Sequence, residues 1–209
     1  MSDPIVHLID DDEAVRVSLA FLLEMADLPA VTYGSALEFL KVAGGLKSGV
    51  IVTDVRMPEM NGLELVRRLK DRGVPLPIIV ITGHGDVPLA VEAMRAGVID
   101  FIEKPFEDDT LLKSIRTALN AQPETDPKDA ERLRFEQMLS GLSGREREVL
   151  RGVVAGKLNK QIAFELGISP RTVEVYRANV MSKTGAHGLS ELVRIALLAG
   201  FDKDAPDAN

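Results

Sequence analysis

Residues 50–54 read Val-Ile-Val-Thr-Asp, and residues 78–82 read Ile-Ile-Val-Ile-Thr. Within them Val50-Ile51-Val52 and Ile78-Ile79-Val80-Ile81 are continuous apolar runs, which suit strands, expected over 50–53 and 78–82, covered on both faces as in a parallel sheet. Outward from them, further runs rich in β-branched residues lie at 4–9, 29–33 and 98–102. Amphipathic stretches near 13–26, 35–43, 61–71, 86–95 and 107–120 separate the runs. Five such repeats imply an α/β fold, a doubly wound parallel sheet of five strands with right-handed crossovers. Ligands on such sheets sit at the carboxyl ends of the strands, near the switch in strand order.

The chain has 209 residues, 45% of them hydrophobic, which suffices for a sizeable core and excludes disorder for the bulk. It has no Cys, so disulfides and Cys-bearing zinc or iron–sulfur sites are excluded. No run of 18 apolar residues exists and the start lacks a signal-peptide pattern, so the expected compartment is the cytoplasm, with no membrane partner. The net charge of −7 hides an asymmetry: residues 1–120 carry −7, whereas residues 141–200 carry +4. An acidic first part and a basic second part read as two domains with different partners. The expected boundaries are 1–120 for the first domain, 121–141 for a partly helical linker with Pro123 and Pro127, 142–200 for the second domain and 201–209 for a frayed tail. After Leu142 the pattern is all helix, near 143–154, 159–166, 170–184 and 188–199.

Acidic residues crowd the expected strand ends of the first domain. Asp10, Asp11 and Asp12 follow the first strand, Asp54 ends the third, Thr82 ends the fourth, and Lys104-Pro105 follows the fifth. Carboxylates converging on one edge repel unless a cation joins them. Oxygen ligands with room for water suit Mg²⁺. A lysine and a threonine hydroxyl beside them suit a phosphoryl group. Asp12 reads as a helix N-cap. His7 reads as a core or sheet-face residue and His84 as a loop residue, neither with a role in chemistry.

Four pieces of the first domain together resemble the two-component receiver family, which has a flavodoxin-like fold. They are Ile9-Asp10-Asp11-Asp12, Asp54 with Met57-Pro58-x-Met60-x-Gly62, Thr82-Gly83-His84-Gly85, and Phe101-Ile102-x-Lys104-Pro105-Phe106. The resemblance implies that Asp54 is the phosphoacceptor, and that Asp10, Asp11, Asp54 and the backbone carbonyl of Arg56 surround Mg²⁺. It implies that Lys104 contacts the phosphoryl group, that Thr82 and Phe101 form the conformational switch, and that the Lys104–Pro105 bond is cis. Receivers often carry Tyr where this chain has Phe101, so any output step that needs that hydroxyl is unavailable.

In the second domain, Gly167 offers a helix C-cap, and Ser169-Pro170 supplies the N-cap and first position of the next helix. Two helices joined by a tight Gly turn make a helix-turn-helix candidate. On a helical wheel Val173, Tyr176, Val180 and Thr184 share the inner face. Arg171, Glu174, Val175, Ala178 and Ser182 share the outer one, with Arg177 and Lys183 on the flanks. The outer residues are read as base contacts: Val175 toward a thymine methyl and Glu174 toward cytosine. Arg177, Lys183 and Lys160 are read as phosphate anchors, and Arg171, Thr172 and Ala178 complete the expected DNA-binding set.

This segment resembles the LuxR-type helix-turn-helix of the FixJ/NarL response-regulator family. The matching residues are Leu142-Ser143-x-Arg145-Glu146-x-Glu148-Val149-Leu150, Gly156-x-x-Asn159-Lys160-x-Ile162-Ala163 and Leu166-x-Ile168-Ser169-x-x-Thr172-Val173. Named relatives of that kind regulate nitrogen-fixation and respiratory genes. One departure is Tyr176, where many members have His. The resemblance implies a response-regulator transcription factor rather than an enzyme. A histidine kinase would phosphorylate it, and it would dimerise, bind promoter DNA and recruit RNA polymerase as an activator.

Two apolar faces are expected at the dimer contact: Val87, Ala90, Val91 and Met94 in the first domain, and Leu192 and Val193 on the last helix, whose alternative is burial under the linker helix. Two other readings stand beside the regulator: a stand-alone phosphatase or phosphotransferase of the same sheet class, and a DNA-binding protein with a vestigial receiver. The basic helical domain disfavours the first, and the complete acidic pocket disfavours the second.

Overall fold

A computed structural model describes residues 5–83, 87–120 and 128–201. The chain divides into two compact units, residues 1–85 with 96–123, and residues 86–95 with 124–209. The first holds five parallel strands, β1 (Val6–Ile9), β2 (Ala30–Tyr33), β3 (Val50–Asp54), β4 (Ile78–Thr82) and β5 (Asp100–Glu103), in the order β2-β1-β3-β4-β5. Its helices are α1 (Glu13–Met25), α2 (Ala36–Val42), α3 (Gly62–Asp71) and α5 (Asp108–Asn120). The intervening α4 (Val87–Arg95) is grouped with the second of these units.

Alternation along the strands splits the sheet between two helical layers. Val6, Leu8, Val50, Val52, Ile79 and Ile81 pack with Leu19 and Leu23 of α1 and with Leu111 and Ile115 of α5. On the opposite face His7 meets Phe39 of α2, with ring centroids 5.6 Å apart. His7 is buried, its Nδ1 lies 3.2 Å from the Tyr33 hydroxyl, and burial pushes its basicity down. His84 lies outside the described residues. The register aligns Ile9 with Thr53, Asp54 with Ile81, and Thr82 with Glu103. Residues 10, 54 and 104 therefore leave the sheet at one edge, beside the switch in strand order.

The second unit contains α6 (Lys128–Ser140), α7 (Gly144–Val154), α8 (Asn159–Leu166), α9 (Pro170–Thr184) and α10 (Leu189–Leu198). Its core joins Phe135 and Leu139 of α6, Leu150 and Val154 of α7, Val180 of α9, and Leu192, Ile195 and Ala196 of α10. The expected dimer contact through Leu192 and Val193 is therefore corrected. They are 1% and 0% exposed, since Leu192 is enclosed in this core and Val193 is interior as well. α6 has few apolar residues, but Phe135 and Leu139 among them join the core that takes in α10. Ala90, Val91 and Met94 of α4 are likewise buried, and Val87 is half-buried.

Lys183, near the end of α9, places its ammonium 2.7 Å from the Glu146 carboxylate at the start of α7. Glu146 also closes a capping box with Ser143. The Lys183 hydrogen bond comes first, and the Ser143 backbone N–H next, in pushing Glu146 down from 4.5 to about 2. A carboxyl with a depressed folded-state pKa contributes stability that is full above its unfolded value and disappears as pH falls through the folded one. We expect Lys183→Met to lower the melting temperature at neutral pH, and the gap from the unsubstituted protein to narrow between about pH 4.5 and 2. Calorimetry across that range checks this, and a gap independent of pH contradicts it.

Candidate functional site

At the shared edge of the sheet, the Lys104 ammonium bridges two carboxylates. Its Nζ donates to Asp10 Oδ2 at 3.0 Å and to Asp54 Oδ1 at 2.9 Å. Asp10 and Asp54 are buried, at 2% and 7% exposure. Burial raises the Asp54 carboxyl above its ordinary range, although the Lys104 hydrogen bond and charge pull the other way. Burial also works to lower Lys104, but its bonds to Asp54 and Asp10 and their charges outweigh it, and the ammonium is held above its ordinary value.

The second Asp54 oxygen accepts from the Arg56 backbone N–H at 2.6 Å. The segment that follows is folded tightly back on β3. Glu59 takes a left-handed backbone, and the Gly62 N–H donates to the Val55 carbonyl at 2.9 Å. A Cβ on Gly62 would lie 2.1 Å from the Asp54 carbonyl oxygen. Gly62 opens α3 with Asn61 as its cap, so the absence of a side chain lets that helix start directly against the Asp54 backbone. In the sequence Gly62 is legible only as the end of the Met57–Gly62 motif, and the steric need for it comes from the Asp54 backbone.

The Arg16 guanidinium donates to the backbone carbonyls of Asp10 (2.7 Å) and Asp11 (3.0 Å), which fixes the turn carrying the acidic residues. No sequence signal singled out Arg16. Asp12 caps α1, accepting from the Ala14 and Val15 N–H groups. Thr82 is fully buried, its carbonyl accepts from the Lys104 N–H, and the Lys104–Pro105 bond is cis. Phe101, aligned with Val80 on β4, is half-buried.

The structure thus brings together Asp10, Asp54, Lys104 and the end of the Thr82 strand. It does not draw Asp11 in. Asp11 is exposed, and no three acidic or imidazole groups among the described residues are gathered as a metal shell requires. The donor chemistry still fits a hard cation, because the two buried carboxylates already share a positive group. Receiver domains generally bind Mg²⁺ at this pocket.

The helix-turn-helix forms as its turn chemistry requires. Gly167 is left-handed at φ 64°, Ser169 accepts from the Thr172 N–H, and Pro170 opens α9. Val173, Val180 and Thr184 are buried and Tyr176 is half-buried, whereas Arg171, Glu174, Val175, Ala178 and Ser182 are exposed. Lys160, on α8, is exposed too. Three expected DNA contacts are engaged within the domain itself. Thr172 Oγ1 lies 2.8 Å from Ser169 Oγ, Arg177 donates to Asn159 at 2.8 Å, and Lys183 pairs with Glu146.

Restoring a Cβ at residue 62 tests the fit around Asp54. Gly62→Ala is expected to cost roughly 1–3 kcal/mol of stability by overpacking and to slow chemical phosphorylation of Asp54. Denaturant unfolding and labelling with a small phosphodonor measure both. A variant equal to the unsubstituted chain in both assays would falsify the steric role.

Comparison with known proteins is consistent with both halves of this arrangement. Residues 6–116 match the response regulator receiver domain, and residues 140–196 match the bacterial regulatory proteins of the luxR family. The chain is similar to the transcriptional regulatory protein FixJ of Azorhizobium caulinodans, 55% identical over 93% of this chain and 92% of that one. It is similar to that of Rhizobium meliloti, 54% identical over 96% and 98%. Among solved structures it resembles full-length FixJ from B. japonicum, with 48% identity, a TM-score of 0.56, and 96% and 98% of the two chains covered. With its strand-end acidic pocket and its Gly-turned helix pair, the chain belongs to the response regulators that join a receiver to a LuxR-type DNA-binding domain, within the FixJ group.

Proposed function

We propose that a histidine kinase phosphorylates this regulator on Asp54, and that the phosphorylated form dimerises, binds promoter DNA and activates transcription in the cytoplasm. The observation that carries the reading is the Lys104 bridge between Asp10 and Asp54 at the switch point of the sheet. An Asp54 carboxylate oxygen attacks the phosphorus of a phosphohistidine. The P–N bond breaks as the P–O bond of the acyl phosphate forms, and the departing imidazole nitrogen takes a proton. Phosphoryl transfer of this kind depends on alignment and charge neutralisation more than on covalent help.

Lys104, already held at Asp54, supplies a positive charge to the phosphoryl oxygens. Thr82 offers a hydroxyl hydrogen bond to the same group and forms the switch with Phe101. Asp10, Asp11, Asp54 and the Arg56 carbonyl would hold Mg²⁺, with Asp11 turning inward. When bound, that ion neutralises further charge on the phosphoryl oxygens. Hydrolysis of the acyl phosphate in the same pocket would end the signal.

The surface of α1 supports a protein phosphodonor. Val17, Phe21 and Met25, at successive turns of the helix that starts beside the acidic pocket, are 63%, 63% and 71% exposed. Dimerisation through Val87, Ala90, Val91 and Met94 requires that this part of α4 first be uncovered. On DNA, Glu174, Val175 and Ala178 face base edges, while Lys160 and Arg171 anchor phosphates. RNA polymerase is the partner recruited at the promoter.

Acetyl phosphate with Mg²⁺ is expected to add one phosphoryl group to the protein, none to Asp54→Asn, and none after chelation of the metal. Intact-protein mass spectrometry reads the result, and undiminished labelling of the Asn variant ends the assignment. For the second unit, Lys160→Ala is expected to weaken selected and unrelated duplexes alike and to lower the salt slope by about 0.9. Glu174→Ala instead shifts the preferred base at one position by roughly 1–3 kcal/mol. Salt titrations on matched and mismatched duplexes separate them, and a silent Glu174 variant contradicts the outer-face assignment.

A further inference from the structure

The helix-turn-helix is a V whose closed end is covalent. Residues 167–169 join α8 to α9, and that corner is tied by the Ile168 N–H to the Ala163 carbonyl (3.0 Å) and the Gly167 N–H to the Phe164 carbonyl (3.3 Å). Away from that corner the two helices keep buried apolar residues, Ile162 and Ala163 on α8 and Val173 on α9, and a polar contact is added to this packing at the open end. Arg177 lies two turns into α9, and Asn159 is the first residue of α8. Arg177 Nη1 donates to Asn159 Oδ1 at 2.8 Å across 18 residues of chain.

Both side chains are half-buried. Burial pushes the guanidinium below its ordinary pKa, with the Glu174 charge acting against it. A phosphate anchor keeps its fork in water until DNA arrives. Arg177 instead has a partner inside its own domain and is partly desolvated. A partly buried amide–guanidinium contact is directional, so it constrains an angle as well as a distance.

That angle has a functional meaning. Lys160, next to Asn159, sits on one arm of the V, and Glu174, Val175 and Ala178 sit on the other. Phosphate contacts set register and base contacts carry specificity, so both sets engage together only at one inter-helix angle. Resting on the DNA-binding reading above, we propose that Arg177 is a positioning residue for sequence readout: by clasping Asn159 it holds α8 and α9 at the angle that brings the outer face of α9 to the base edges, and it is not a phosphate anchor.

The test uses the full chain, phosphorylated with acetyl phosphate and Mg²⁺. A preferred duplex is selected from a random-sequence pool with the unsubstituted protein. Affinity for that duplex and for an unselected duplex of equal length is then measured over a range of salt. Arg177→Ala and Asn159→Ala are each expected to reduce the ratio of the two affinities by roughly tenfold, the scale of one charge-assisted hydrogen bond. The salt slope should stay unchanged, and the double variant should be no worse than either single one. Asn159→Asp, which keeps an acceptor for the guanidinium, should retain the ratio.

Thermal melting checks that each variant folds. If Arg177→Ala does not fold, Asn159→Ala and Asn159→Asp decide the matter alone. A salt slope lowered by about 0.9 in Arg177→Ala, with Asn159→Ala silent, identifies a phosphate anchor and overturns the proposal. Additive losses in the double variant overturn it as well. An unsubstituted protein that enriches no sequence removes the DNA-binding reading itself and the proposal with it, an outcome distinct from the other two.

Discussion

Much of the first unit is organised around one ammonium group shared by two buried carboxylates. Asp10 follows β1, Asp54 closes β3, and Lys104 follows β5, so the Lys104 bonds tie together loops from three strands. Two carboxylates this close in a low-dielectric pocket repel, and one would take up a proton without a compensating charge. Lys104 provides that charge and is itself held charged by them. The pocket therefore holds its two carboxylates and its cation in one bonded cluster. The supporting parts are backbone. Arg16 clamps the Asp10–Asp11 turn, and Gly62 lets α3 begin against the Asp54 carbonyl.

The second unit meets a different requirement, which is to present one face of one helix. α9 is seated by its buried residues Val173, Val180 and Thr184 and by polar clasps at two points. Arg177 reaches α8 and Lys183 reaches α7. The first clasp withdraws Arg177 partly from solvent, whereas Lys183 pairs with Glu146 while staying exposed. The exposed remainder of α9, with Arg171, Glu174, Val175 and Ala178, is mixed in character, while Lys160 stands on the neighbouring helix.

The strand ends were legible because a parallel sheet leaves little freedom. Apolar runs at 50–52 and 78–81 locate the central strands, and the polar residues that end them must then lie at one edge. The helix-turn-helix was legible for a similar reason: Gly167, Ser169 and Pro170 each answer a backbone need of a helix terminus. Asp11 was not legible to the same degree. Asp11 stands next to Asp10 in sequence, yet it is exposed while Asp10 is buried and bonded to Lys104, a difference set by the fold of the turn that follows β1.

Sequence alone therefore determined the element order, the doubly wound sheet, the acidic edge and the inner and outer faces of α9, since each follows from local periodicity and cap chemistry. Tertiary structure decided which charged and apolar side chains remain available. Lys183 and Arg177 read as free flanking cations on a wheel, yet the partners that engage them lie 37 and 18 residues away. Leu192 and Val193 read either as a dimer face or as a face buried under the linker helix, and packing decides for burial: Leu192 is enclosed in a core to which α6 gives Phe135 and Leu139, and Val193 is interior beside it. A helical period fixes the direction in which a side chain points along its own element. The neighbour it meets depends on how separate elements pack, and no local pattern carries that information.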